Sequence, residues 1–131
     1  MNSLRKLNKL TEILSMQLCI ELLLISLLHR LILLMKMTHN KIAELITRRR
    51  RQILVHSVIY YRYNDNIISD EKWTQWAKEL EKLQSEYPDI SKECPLSEAF
   101  DGFDHSTGFD LPLSDPWAMA KAEQLLNWRK K

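Results

Sequence analysis

Apolar positions along the chain follow three regimes. Residues 18 to 35, LCIELLLISLLHRLILLM, are almost continuously apolar. From Asn40 to about Tyr63 there is neither glycine nor proline, and Ile42, Leu45, Ile46, Ile53, Leu54 and Val58 recur at helical spacing. Asn64-Asp65-Asn66 then forms a turn cluster, and Ser69 supplies a capping hydroxyl ahead of Asp70 and Glu71, whose charges suit a helix start. Trp73, Trp76, Ala77, Leu80 and Leu83 make the apolar stripe of that second helix, with Lys78, Glu79, Glu81 and Lys82 on its remaining surface. Pro88 is expected to close it. Residues 97 to 113, SEAFDGFDHSTGFDLPL, read as an irregular loop whose Phe100, Phe103 and Phe109 pack down on the helices. Asp115 caps a last helix with Pro116 at its first position, Ala118, Ala122, Leu125 and Leu126 as its buried stripe, and Arg-Lys-Lys at its C-terminus. The pattern predicts a mainly α fold: a small helical domain built on an antiparallel helical hairpin across residues 40 to 88, with an aromatic loop and a C-terminal helix.

The apolar run before this domain raises a membrane question, since a span needs about 20 apolar residues. Glu21, Ser26, His29 and Arg30 argue against one, because a carboxylate near the centre of a lipid-facing helix costs about 2.5 to 3.5 kcal/mol. No small-residue cleavage site of a secretory signal follows the run. Two readings remain: a long helix that packs on the rest of the domain or makes an oligomer with a second copy, and a leader added by an upstream start. Met35 and Met37 stand immediately before THNKIAEL, where leucine-rich composition turns to mixed polar. The expected division is therefore residues 1–36, an apolar N-terminal helix or mis-started leader, and residues 37–131, a helical domain sufficient for folding.

Composition adds polarity to this outline. The net charge of +2 conceals 11 Lys/Arg against 4 Asp/Glu up to Ser69, which is +7, and 8 against 13 from Asp70 onward, which is −5. Such polarity can steer a partner or hold two halves together. Cys19 and Cys94 lack the spacing of a zinc or redox motif, which fits a reduced cytoplasmic protein. His29, His39, His56 and His105 follow no metal-ligand pattern, and neither a P-loop, nor GxGxxG, nor a serine-nucleophile elbow occurs. Arg48 to Arg51 point to every side of a helix at about 100° per residue, so they form no single basic face. They read as a solvated stretch with one or two ion pairs, or else as a contact for the phosphate of a nucleotide or nucleic acid.

The stretch YYRYNDNIISDEKWTQWAKELEKLQSEYPDI, about a quarter of the chain, resembles the N-terminal Ia domain of bacterial NAD-dependent DNA ligases. The likeness lies in the Tyr60-Tyr61 pair, the turn ending Ile68-Ser69-Asp70, and Glu79-Leu80, Leu83, Glu86 and Pro88 in the following helix. It implies a scaffold that grips the NMN half of NAD through Tyr60, Tyr61, Asp70, Trp73 and Thr74. Trp73 stands where the family has tyrosine, keeping a ring and losing a phenol, and Thr74 stands where it has aspartate. Both departures imply weaker affinity. The Lys-x-Asp-Gly motif of the ligase catalytic domain is missing, so no nucleotide transfer and no enzyme is expected.

Stand-alone proteins with such a helical pair look typical of phage and prophage genomes, which implies the cytoplasm of a bacterial host cell. Three functional expectations follow. The first is a non-catalytic module binding NMN or NAD, with Tyr60, Tyr61 and Trp73 as an aromatic cradle, Asp70 as anchor and an arginine of the basic run near phosphate. The second is an interaction protein that inhibits or adapts a host protein, such as a bacterial defence enzyme. The third is nucleic-acid binding through Arg48 to Arg51.

Overall fold

A computed structural model describes all of residues 1–131. Four helices and no strand make up the chain: α1 Asn2–Arg62, α2 Asp70–Glu86, α3 Pro88–Glu93 and α4 Pro116–Lys130. The mainly α expectation holds. It is divided into two compact units, Met1–Thr38 and His39–Lys131. The helical assignment of α1 runs through both the leucine-rich run and the segment from Asn40, where two separate helices were expected. Nothing between them breaks a helix, since neither glycine nor proline occurs before Pro88.

Residues 2 to 38 are helical and exposed throughout. One 18-residue window of α1 has a mean hydropathy of 2.2 with none of it buried, so by length and composition this helix can cross a membrane.

In the second unit, Ile46, Ile53, Leu54, Val58 and Ile59 of α1 are fully buried against Ala77 and Leu80 of α2 and Ala118 and Ala122 of α4. Full burial of each large aliphatic side chain contributes about 1.5 to 3 kcal/mol. Asn64, at φ +48°, turns the chain out of α1, a conformation asparagine adopts more readily than most residues. The Ser69 hydroxyl accepts the Lys72 amide and caps α2, and the Asp115 carboxylate accepts the Ala118 amide and caps α4. Pro88 does close α2, but it also opens α3 at its first turn, a short helix the hydrophobic pattern did not reveal.

The four arginines behave differently from one another. Arg48 pairs with Glu44 at 3.6 Å, and Arg49 bonds Glu79 at 2.5 Å while lying over the Trp76 ring. Arg50 overturns the expectation of a solvated stretch, because it is 1% exposed. Its Nε donates to Gln84 Oε1, one terminal nitrogen to the carbonyls of Cys94 and Pro95, and the other to the carbonyl and hydroxyl of Ser91. A buried cation requires such saturation, and burial still pushes its pKa down. Arg50 thereby ties α1 to α2 and to the end of α3.

The aromatic loop packs unevenly. Phe100 is buried and meets Phe103 edge-on at 5.1 Å, whereas Phe109 is exposed and leans on Tyr61 at 5.4 Å. Two of the three phenylalanines therefore serve the core and the third lies at the surface.

Candidate functional site

The end of α1, the 64–69 turn and the start of α2 enclose a cavity of about 230 Å³, closed on one side by residues 105 to 108 of the aromatic loop. Its lining includes Tyr60, Tyr61, Asp70, Trp73 and Thr74, so the five residues singled out from sequence meet in one place. Helix geometry brings this about: Tyr60 and Tyr61 end α1, while Asp70, Trp73 and Thr74 occupy the first turns of α2 at spacings that share a face.

Each of these side chains has a definite setting. Tyr60 is 54% exposed and Tyr61 39%, and their rings meet edge-to-face at 4.9 Å. Both side chains are exposed at the last turn of α1. Tyr61 also shares a hydrogen bond of 3.1 Å with the Thr107 hydroxyl. Trp73 is half-buried, and its indole N–H donates to Ser57 Oγ at 3.3 Å, so its plane is fixed. Ser57 in turn donates to the Ile53 carbonyl at 2.7 Å. Asp70 is exposed at the head of α2, and Thr74 is half-buried one turn on.

The rest of the lining escaped sequence reading. His56 and Ser57 precede the tyrosine pair by one turn, and His105, Ser106, Thr107 and Gly108 arrive from far along the chain. The 105–108 segment is anchored at its start. Glu81 Oε2 faces His105 Nδ1 at 2.7 Å and accepts the His105 amide, and Asp104 accepts the Ser106 amide. At Gly108 a Cβ would collide with the Ser57 side chain and stand 3.2 Å from Trp73 Cζ2. Only glycine lets the loop close so tightly over that pair. No local pattern in FDHSTGFD reports this, since it depends on a contact across about fifty positions.

Arg129 of α4 braces the opposite rim. It forms an ion pair with Asp65 and donates to the Asn66 carbonyl at 2.8 Å, fixing the turn that carries Asn66 into the cavity wall. The guanidinium holds the Asp65 carboxyl below its ordinary range, and it does so first through the hydrogen bond.

Lysine and arginine are both absent from the lining. The expected arginine near phosphate is therefore corrected: Arg49 and Arg50 are committed to Glu79 and to the α3 end, and Arg48 and Arg51 line a different surface. The one carboxylate is Asp70, at the N-terminal end of α2. His56 has a buried Nδ1 without a hydrogen-bond partner, and burial lowers its pKa, which favours the neutral ring.

Such a site offers phenol rings, hydroxyls, two imidazoles and one carboxylate, supplied by α1, the turn before α2, α2 and the 105–108 loop. It is suited to a flat polar ligand of neutral or positive charge. No family model, no curated protein and no solved structure matches this chain.

Proposed function

We propose that the second unit is a non-catalytic module that binds the nicotinamide riboside portion of NMN or NAD in the cavity between α1 and α2. The observation that carries this reading is the convergence of Tyr60, Tyr61, Asp70, Trp73 and Thr74 on one cavity of about 230 Å³. Oxidised nicotinamide is a flat cationic ring. Tyrosine faces and a carboxylate attract it, and the absence of Lys and Arg from the lining removes any repulsion. The ribose hydroxyls find partners in Asp70, Thr74 and the 105–108 loop, while the phosphate lies toward solvent. This placement differs from an arginine-held phosphate and follows from the charges present.

Calorimetric titration of the full chain tests the reading. NMN and nicotinamide riboside are expected to bind with similar affinity, and AMP is expected to give no heat. Reduced NMN, whose ring is neutral, is expected to bind more weakly. Absence of heat from folded protein at about 1 mM NMN, where binding would contribute about 4 kcal/mol, defeats the proposal.

A further inference from the structure

In the second unit, α1 and α4 also border an open groove of about 790 Å³. Its wall on α4 carries Trp117, Lys121, Gln124, Leu125 and Trp128, and its wall on α1 carries Arg48, Arg51 and Gln52. The two tryptophans do not belong to the core stripe of α4, which is Ala118, Ala122 and Leu126. They are 43% and 66% exposed. Eleven residues apart, they share one helix face with a separation of about 16 Å along its axis.

Unlike Arg49 and Arg129, the cations of this groove lack firm carboxylate partners. Arg51 makes no ion pair, and its guanidinium lies over the Trp117 ring at 5.5 Å. Lys121 bonds only the neutral Gln124 side chain, at 3.1 Å. Arg48 has Glu44 at 3.6 Å, both side chains being more than half exposed, so that pair is screened and readily exchanged. The other carboxylate in the wall, Glu93, faces His39 at 3.5 Å. Beyond Trp128 follow Arg129, Lys130 and Lys131, all exposed, of which Arg129 is paired with Asp65.

We propose that this groove binds single-stranded nucleic acid, with bases stacking on Trp128 and Trp117 and backbone phosphates held by Arg51, Lys121 and Arg48. Charge complementarity and the aromatic spacing carry the argument. Exposed indoles beside cations with weak partners or none form a stacking platform along a positive track, and each stacked base contributes about 1 to 3 kcal/mol whatever its identity. A duplex hides its base faces and should not engage the tryptophans. The groove is separate from the nicotinamide cavity in its ligand and in all of its lining except His56.

The test is fluorescence anisotropy of the full chain with labelled oligothymidylate of about twelve nucleotides, read together with tryptophan quenching. Binding is expected to quench tryptophan emission and to weaken with salt at a log–log slope of about −2, as three phosphate contacts imply. Trp128→Ala should lower affinity at least about fivefold, the lower end of one lost stacking contact. Arg51→Gln should lower it and reduce the slope by about 0.7. Both residues are exposed, so the variants retain the fold, which circular dichroism verifies. No binding at low salt overturns the proposal, as does binding that neither substitution changes, which would place the contact on other basic residues. Equal affinity for the matching duplex overturns it too. Quenching by an acidic Leu/Glu amphipathic peptide, with no response to the oligonucleotide, would assign the groove to a protein helix instead.

Discussion

Trp73 donates its indole N–H to the hydroxyl oxygen of Ser57 at 3.3 Å, joining α2 to α1 at the floor of the cavity between these helices. Gly108 lies over the same pair. Three distant parts of the chain thus meet at one hydroxyl, and the cavity exists because they do. Ser57 is 2% exposed, so its donor and acceptor capacity is used inside the protein, where an unmade hydrogen bond is costly.

Gly108→Ala puts a methyl group where the Ser57 side chain already is. The loop must lift or the serine must abandon Trp73. Overpacking of this kind destabilises by about 1 to 3 kcal/mol, measurable as a lower urea midpoint at unchanged slope. NMN affinity is expected to fall with it. Unchanged stability together with unchanged affinity would show that the loop does not close over this floor.

Arg50→Met retains much of the side-chain volume and removes all five donated hydrogen bonds. The carbonyls of Ser91 and Cys94 lose a donor in a buried setting, and that of Pro95 loses one in a partly buried setting. A loss of at least about 3 kcal/mol is expected, read from chemical denaturation of the second-unit transition. Arg51→Met, one position along, removes no such bond and should cost less than about 0.5 kcal/mol. Equal costs at the two positions would contradict the buried role of Arg50.

His56 predicts a pH dependence of stability. Burial depresses its pKa in the folded chain below the ordinary value of 6.5, so the unfolded chain binds the proton first as pH falls. Its contribution is fully present above about pH 6.5 and is lost as pH falls from there through the folded pKa. His39 and His105 face glutamates and are untouched by His56→Gln, which isolates the effect. The thermal midpoint of the native protein should drop more steeply below pH 6.5 than that of the variant. Parallel profiles would mean that His56 is solvated.

How much of this was legible in the sequence depended on range. The caps Ser69 and Asp115, the turn at Asn64 to Asn66, and the stripes of α2 and α4 follow from local spacing, and each appears where spacing put it. The family resemblance named Tyr60, Tyr61, Asp70, Trp73 and Thr74, which sit within about fifteen residues across one turn. What spacing could not supply was long-range. Helix α3, of 6 residues, is less than two turns long, too short for a periodic signal, and is held by Arg50 from about forty residues away. The 105–108 wall and the Arg129 brace reach the cavity by contacts that no local motif encodes. The continuity of α1 was missed because a change in composition was read as an element boundary, although no helix breaker lies there.

The most direct measurement is a nitrogen–proton correlation spectrum of the labelled chain during NMN addition, since its four tryptophans give separate indole signals. The Trp73 indole and the Thr107 and Gly108 amides should shift together and saturate with one affinity, while the Trp117 and Trp128 indoles stay in place. An unmoved Trp73 signal at saturating NMN, or shifts confined to Trp117 and Trp128, would contradict a nicotinamide site between α1 and α2.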